Sequence, residues 1–348
     1  MTDRLRDALR HQAQACQDLG SPFMHQLMTL LADRLQPDSD LTRRMFDWPG
    51  DLGPSAASVP LRLAGALHAL ARQGRKGLDA VYPPNTVSDD VLWNAVSTAL
   101  ATEAVFIDAF IDNAPQTNEV RRASTLIAAG HWLTKAYGLP IELYELGASA
   151  GLNLMWDRFE LSIGDQAFGQ IGSPLSLSPD WSGPLPERVD PQVVGRFGVD
   201  LAPLDPLADQ DRLLAYLWPD QPHRLQLTQA AIELASSAVD QADAVTWLAE
   251  RLSPKSGTLQ MIYSTIAWQY FPADAQAKGT AMIKDAGRQA TPDAPIAWFT
   301  MEADGKARGA ALTLRLWPGD LRFDRGRADF HGRWIDWSPP DIGLPIDG

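Results

Sequence analysis

The stretch IELYELGASAGLNL, residues 141–154, decides how the rest of the chain is read. Ile141, Leu143 and Leu146 mark an apolar strand, with Glu145 at its end. Gly147, Ser149 and Gly151 then alternate with Ala148 and Ala150, and Leu152-Asn153-Leu154 opens a helical stretch. A strand that ends in an acid and turns through small residues into a helix is a ligand-meeting turn of open α/β sheets. Strand-like runs recur downstream at 193–201, 258–265, 295–302 and 311–317, separated by helical stretches such as 223–238. Such alternation predicts a mostly parallel sheet with helices on both faces. The run 311–317 and RADFHGRWIDW (327–337) are joined by PGDLRFDRG, too short for a helical crossover, so an antiparallel hairpin is expected. Upstream, apolar spacing of three to four in Met24, Leu27, Leu31 and Leu35 predicts a helix. The stretches 61–74, stopped by Gly74, and 87–113 predict two more. The expected architecture is α/β: an all-helical N-terminal domain over 1–135, then a Rossmann-like domain over 136–348. A Gly/Ser/Pro-rich inserted loop is expected at about 162–190.

Composition narrows the function classes. The 348 residues are 45% hydrophobic and 21% charged, an ordinary globular balance with length for a large core or two domains. A formal net charge of −13 argues against a nucleic-acid partner, which would need a basic field. Cys16 is the only cysteine, so an intrachain disulfide is ruled out. The six histidines show no metal-ligand spacing, so no metal is expected. The charged opening MTDRLRDALRHQ does not read as a signal peptide, and no apolar run reaches the roughly 18 residues of a membrane span. The expectation is a cytoplasmic protein with no membrane partner; oligomeric state is not legible.

Two ligand classes use an acid-and-glycine turn after a first strand. The dinucleotide fingerprint G-x-G-x-x-G, aligned on Gly147, needs glycine at 149 and 152, where Ser149 and Leu152 stand. The pattern E/D-x-G-x-G-x-G is met by Glu145, Gly147 and Gly151, with Ser149 in place of the middle glycine. This resembles the first motif of class I S-adenosylmethionine-dependent methyltransferases. The plain alternative is a tight strand-to-helix turn without a ligand. The resemblance implies S-adenosylmethionine as cofactor over Glu145, Gly147, Ala148, Ser149, Gly151 and Asn153. It places Asp200, at the end of the second strand, on the ribose hydroxyls, with Asp205 as runner-up. Asp243 and Ala244 follow the third strand near the adenine, although Asp243 reads equally as a helix N-cap. The terminal hairpin resembles the antiparallel seventh strand of that fold. More widely, QTNEVRR (116–122), ELGASAGLNL (145–154), WPDQPHRL (218–225), YSTIAWQYF (263–271), LRLWPGD (314–320) and HGRW (331–334) resemble an uncharacterised bacterial family known only as a domain of unknown function. That resemblance covers nearly the whole chain. It implies a methyltransferase-like fold with an N-terminal helical region, and no particular reaction.

For chemistry, Glu119 is the best candidate base, with Tyr263 and Ser264 beside it as catalytic candidates. Gln116, Thr117, Asn118, Arg122, Trp268 and Tyr270 are candidate substrate contacts. Each has a structural alternative. Thr117 or Asn118 can cap a helix, Glu119 can sit in its first turn and pair with Arg122, and Trp268 and Tyr270 can be core. Ser149 in G-A-S-A-G also matches a nucleophile elbow, with Asp243 or Glu302 and His331 in triad order. The leading reading is a methyltransferase acting on a small molecule or a protein. Its rivals are a non-catalytic ligand-binding or regulatory protein of the same fold, and a serine hydrolase.

Overall fold

The computed structural model describes residues 3–54, 56–236, 238–306 and 308–338. Six helices come first: α1 (Asp3–Asp18), α2 (Pro22–Arg34), α3 (Asp40–Phe46), α4 (Val59–Arg72), α5 (Asp89–Thr102) and α6 (Ala104–Ile111). Then follow α7 (Ala123–Tyr137), β1 (Ile141–Leu146), β2 (Glu160–Ile163), β3 (Gln166–Gly169), β4 (Ser176–Leu177), β5 (Asp180–Ser182) and β6 (Val193–Asp200). The remainder is α8 (Gln210–Ala215), α9 (Pro222–Leu234), β7 (Val239–Gln241), α10 (Ala244–Arg251), β8 (Leu259–Thr265), α11 (Ala273–Gly287), β9 (Ile296–Glu302), β10 (Ala310–Trp317), β11 (Leu321–Ala328) and β12 (Trp334–Trp337). The chain is a mixed α/β protein with an N-terminal helical region, and it divides into two compact units.

The first unit comprises Met1–Thr117 and Asp209–Gln226. Two of its helices, α2 and α3, start at side-chain caps. Ser21 Oγ accepts the Met24 amide at the head of α2, and Ser39 and Thr42 form a capping box on α3. Leu27, Met28, Leu31, Leu63, Leu67 and Leu70 are buried in its core. The stretch 87–113 is not one helix; α5 and α6 meet at a bend of 86°. The residue at the corner is Glu103, whose buried carboxylate receives the guanidinium of Arg75 and lies 3.8 Å from the Lys76 ammonium. Among the described residues no single helix is long and apolar enough to cross a membrane.

The second unit comprises Asn118–Ala208 and Leu227–Gly348. Its nine-stranded sheet runs β5-β12-β11-β10-β9-β8-β1-β6-β7. The five strands from β7 to β9 are parallel, and every residue of β1 and β8 is buried, as expected for central strands covered on both faces. Beyond β9 the sheet continues antiparallel through β10, β11 and β12. An antiparallel hairpin is present, but not the expected one: most of the stretch expected as its connection is strand β11, which pairs with β10 after a turn through Gly319 (φ 100) and Asp320 (φ 53), and Trp334–Trp337 pairs with β11 rather than with β10. The region expected as a loop holds a small sheet of order β3-β2-β4, whose hairpin turns at Gly164-Asp165 with Gly164 at φ 60. From β1 the chain leads to β6 on one side and returns to β8 on the other. Open α/β sheets bind ligands in the crevice at the carboxyl ends of strands at such a switch point.

Candidate functional site

The loop after β1 is shaped by backbone geometry. Gly147, Ser149 and Gly151 have φ of 74, 54 and 71°, so the chain coils through the left-handed region three times in five residues. The amides of Gly147 and Ala148 donate to the Val199 carbonyl at 2.9 and 3.0 Å. The Ser149 amide donates to Asp200 Oδ2 at 2.9 Å, while Asp200 Oδ1 accepts the Ala202 amide at 2.9 Å. Thus the acid at the end of β6 is bonded to the small-residue loop of β1, across 51 residues of sequence. Gly147 is glycine for a second reason. A Cβ there would lie 2.5 Å from the Cβ of Ala267, on the loop after β8. Ser149 is 9% exposed, and its Oγ has no hydrogen-bond partner among the described residues; the buried Oδ1 of Asn153 has none either.

The word QTNE joins the same loop. Asn118, at φ 39°, accepts the Leu152 amide on Oδ1 at 2.9 Å and so caps the 3-10 helix Leu152–Arg158. Asn153 Nδ2 donates to the Glu119 carbonyl at 3.3 Å. The Glu119 carboxylate, 2% exposed, accepts the Arg121 amide at 3.2 Å and the Arg121 Nε at 3.1 Å. The chain opens here with a 3-10 turn, Val120–Arg122, rather than directly with an α-helix. Glu119 itself is therefore the capping residue, and it forms an ion pair with Arg121. Arg122 donates to the carbonyls of Phe330 (2.9 Å) and Thr265 (3.0 Å). Gln116 and Thr117 close the first of the two segments of the first unit, immediately before Asn118 in the chain.

Strands β8 and β9 supply the other wall. The Tyr263 hydroxyl lies 3.2 Å from the Asn153 carbonyl and 3.4 Å from Glu145 Oε2, and both side chains are buried. Burial pushes the Glu145 carboxyl up to about 8; the Tyr263 hydrogen bond opposes this and the nearby Asp200 charge adds to it. Burial likewise drives the Tyr263 phenol far above its usual range. Ser264 donates to Glu302 Oε1 at 2.8 Å, and the Glu302 carboxylate also accepts the amides of Ala267, Trp268 and Gln269. This turn holds Ile266 at φ 54°, an outlier for a β-branched residue, and seats Ala267 against Gly147. Trp268 packs edge-on to Trp298 and against Gly279 of α11, whereas Tyr270 is 52% exposed.

The remaining candidates are local caps. Asp243 Oδ1 accepts the Thr246 amide and hydroxyl, both at 2.9 Å, at the start of α10, and these bonds lower its pKa; Ala244 is buried behind it. Asp205 accepts the Leu207 and Ala208 amides in an Asx-type turn. Among the described residues the Ser149 hydroxyl has no hydrogen-bond partner, while Glu302 accepts from Ser264 and Asp243 from Thr246.

A family model aligns with residues 6–337, which include every candidate above. The chain belongs to the family of uncharacterized proteins conserved in bacteria, DUF2332. No curated protein and no solved structure matches it. In this DUF2332 chain the two motif words are bonded to each other, Asn118 to Leu152 and Asn153 to Glu119. Sequence reasoning missed Ala267 and the turn-holding role of Glu302. The second had a legible signal, an acid closing the apolar run 295–302; the first had none. Among the described residues no group of His, Cys, Asp and Glu is placed to hold a metal.

Proposed function

We propose that this DUF2332 protein is a methyltransferase that binds S-adenosylmethionine at the crevice formed by residues 147–153 and Asp200, and acts on a small molecule or a protein. The observation that carries the reading is the bond from the Ser149 amide to Asp200. It makes the acid of the second parallel strand and the small-residue loop of the first a single site beside the switch point. The polar groups of this site suit the hydroxyl and amino donors of a nucleoside-type ligand. Asp200 has carboxylate lone pairs beyond the two amides it accepts, and Ser149 Oγ and Asn153 Oδ1 are buried polar atoms awaiting partners. When bound, the cofactor supplies an electrophilic methyl group. The protein's part is to hold an acceptor in line with it and exclude water. Glu145, buried just before the loop with its carboxyl pushed up to about 8 by burial, accepts the Tyr263 hydroxyl.

A second reading, binding without turnover, is favoured by one specific observation. Glu119 is paired with Arg121, Ser264 with Glu302, and Tyr263 is sealed in the sheet, so none of the three is poised to take a proton. Calorimetry with S-adenosylmethionine and its demethylated product tests both readings. Saturable binding is expected for each. Asp200→Ala should weaken it by about 1.5–3 kcal/mol, the range for bonds to a charged group, while Asp205→Ala stays near wild type. Absence of binding by the folded wild type removes both readings. Product formation across a panel of acceptors then separates enzyme from binder.

A further inference from the structure

At the other end of the sheet, Arg325 of β11 is 1% exposed, yet none of its three guanidinium nitrogens has a hydrogen-bond partner among the described residues. Its position is built rather than incidental. In the ladder between β10 and β11, Leu312 faces Gly326 and Thr313 faces Asp324, so Arg325 is the extra residue of a β-bulge. Bulges of this kind re-aim a side chain. The next residue, Gly326, has φ 99°, and a Cβ there would strike the Asp336 carbonyl at 1.9 Å, so the bulge depends on glycine. The guanidinium carbon lies 5.0 Å from the ring of Trp132 on α7 and 4.7 Å from that of Trp337 on β12. Trp337 in turn lies 5.8 Å from Trp181 of β5, whose indole N–H is also buried without a partner.

Ring contact attracts a cation but offers no acceptor to its N–H edge. A buried charge left unpaired is costly, and a charged group is normally paired or hydrogen-bonded when it leaves water. Burial draws the Arg325 pKa down to about 10, which still leaves the guanidinium charged at neutral pH, and no charged neighbour of either sign contributes to that shift. Among the described residues the Arg325 guanidinium and the Trp181 indole N–H are thus buried donors without acceptors, in aromatic surroundings.

We propose that Arg325, with the Trp181 indole N–H, is a binding site for the carboxylate group of a small monoanionic ligand. The planar fork of arginine matches a carboxylate with two parallel N–H···O bonds. One positive charge neutralises one negative charge. A phosphate dianion would bring a second charge and more lone pairs than these donors satisfy, which selects against it.

The probe is sodium acetate, titrated into the full chain against chloride at constant ionic strength, with tryptophan fluorescence and melting temperature as readouts. A saturable fluorescence change and a rising melting temperature are expected, with inorganic phosphate giving neither. Arg325→Leu should fold, because it removes an unpaired buried charge, and should lose the response. Arg325→Lys keeps the charge without the fork and should bind at least about tenfold more weakly. Trp181→Phe keeps the ring without the donor and should weaken acetate several-fold, which serves as the test if Arg325→Leu does not fold. No saturable response in wild type, an equal response to phosphate, an unchanged response in Arg325→Leu, or unchanged acetate affinity in Trp181→Phe would each overturn the proposal.

Discussion

Replacing Gly147 by alanine probes the contact on which the crevice is built. Two costs can be worked out from the geometry. Alanine at φ 74° enters the left-handed region, at roughly 1–2 kcal/mol. Its Cβ would also lie 2.5 Å from the Ala267 Cβ, about 1 Å inside the usual carbon–carbon separation of ~3.5–4 Å, and such overpacking costs about 1–3 kcal/mol. The reduced entropy of the unfolded alanine chain offsets about 0.4–1 kcal/mol. The net expectation is a destabilisation of about 1.5–4 kcal/mol, read by urea denaturation of the ligand-free protein. The two costs separate in a double-mutant cycle. Ala267→Gly removes the atom that would be struck and leaves the φ of residue 147 unchanged. Gly147→Ala and Ala267→Gly should therefore couple by about 1–3 kcal/mol, with the φ cost left in the double variant. A coupling below about 0.5 kcal/mol would show that the loops after β1 and β8 are not in contact. A Gly147→Ala cost near zero would refute both the contact and the left-handed backbone.

Three further outcomes follow from the same site. The Glu145 carboxyl, raised to about 8 in the folded protein against about 4.3 for an exposed glutamate, keeps a proton that the unfolded chain has lost between those values. Its contribution to stability is therefore full below about pH 4 and disappears as pH rises to about 8. Glu145→Gln should gain on wild type steadily from pH 5 to pH 8 in melting experiments, and parallel curves would contradict the assignment. Asn118→Gly, which tolerates the positive φ, removes only the bond to the Leu152 amide and should cost about 1–3 kcal/mol in urea. Glu119→Gln should lower stability by a similar amount, about 1–3 kcal/mol, by removing the charged partner of Arg121. It should leave S-adenosylmethionine affinity unchanged; selective loss of turnover in a stable Glu119→Gln protein would return it to the role of base.

The strands around the site were legible as short runs rich in β-branched, aromatic and other apolar residues between turn and helical stretches. The runs at 141, 193, 258 and 295 become β1, β6, β8 and β9 within a residue or so of their expected limits. The turn was legible because only small residues tolerate the repeated positive φ at 147, 149 and 151. Short elements were not. Strands β2 to β5 have two to four residues each, too few to show a period, and they lie among the Gly, Ser and Pro that otherwise mark a loop. The helix read from Leu152 onward is a 3-10 helix, a distinction apolar spacing does not make.

Local sequence, through burial and backbone sterics, determined that a parallel sheet exists, that β1 ends in an acid, and that the loop after it has glycine-like geometry. Only the tertiary structure decided which distant groups meet there. Parallel register sets Glu145 opposite Gly198 and Leu146 opposite Val199, which carries Asp200 to the Ser149 amide. The turn held by Glu302 presses Ala267 onto Gly147, and a bulge in β11 turns Arg325 inward between tryptophans from α7 and β12. Register, close approach and bulges depend on how whole strands pair, and strand pairing joins residues whose separation along the chain leaves no local pattern to read.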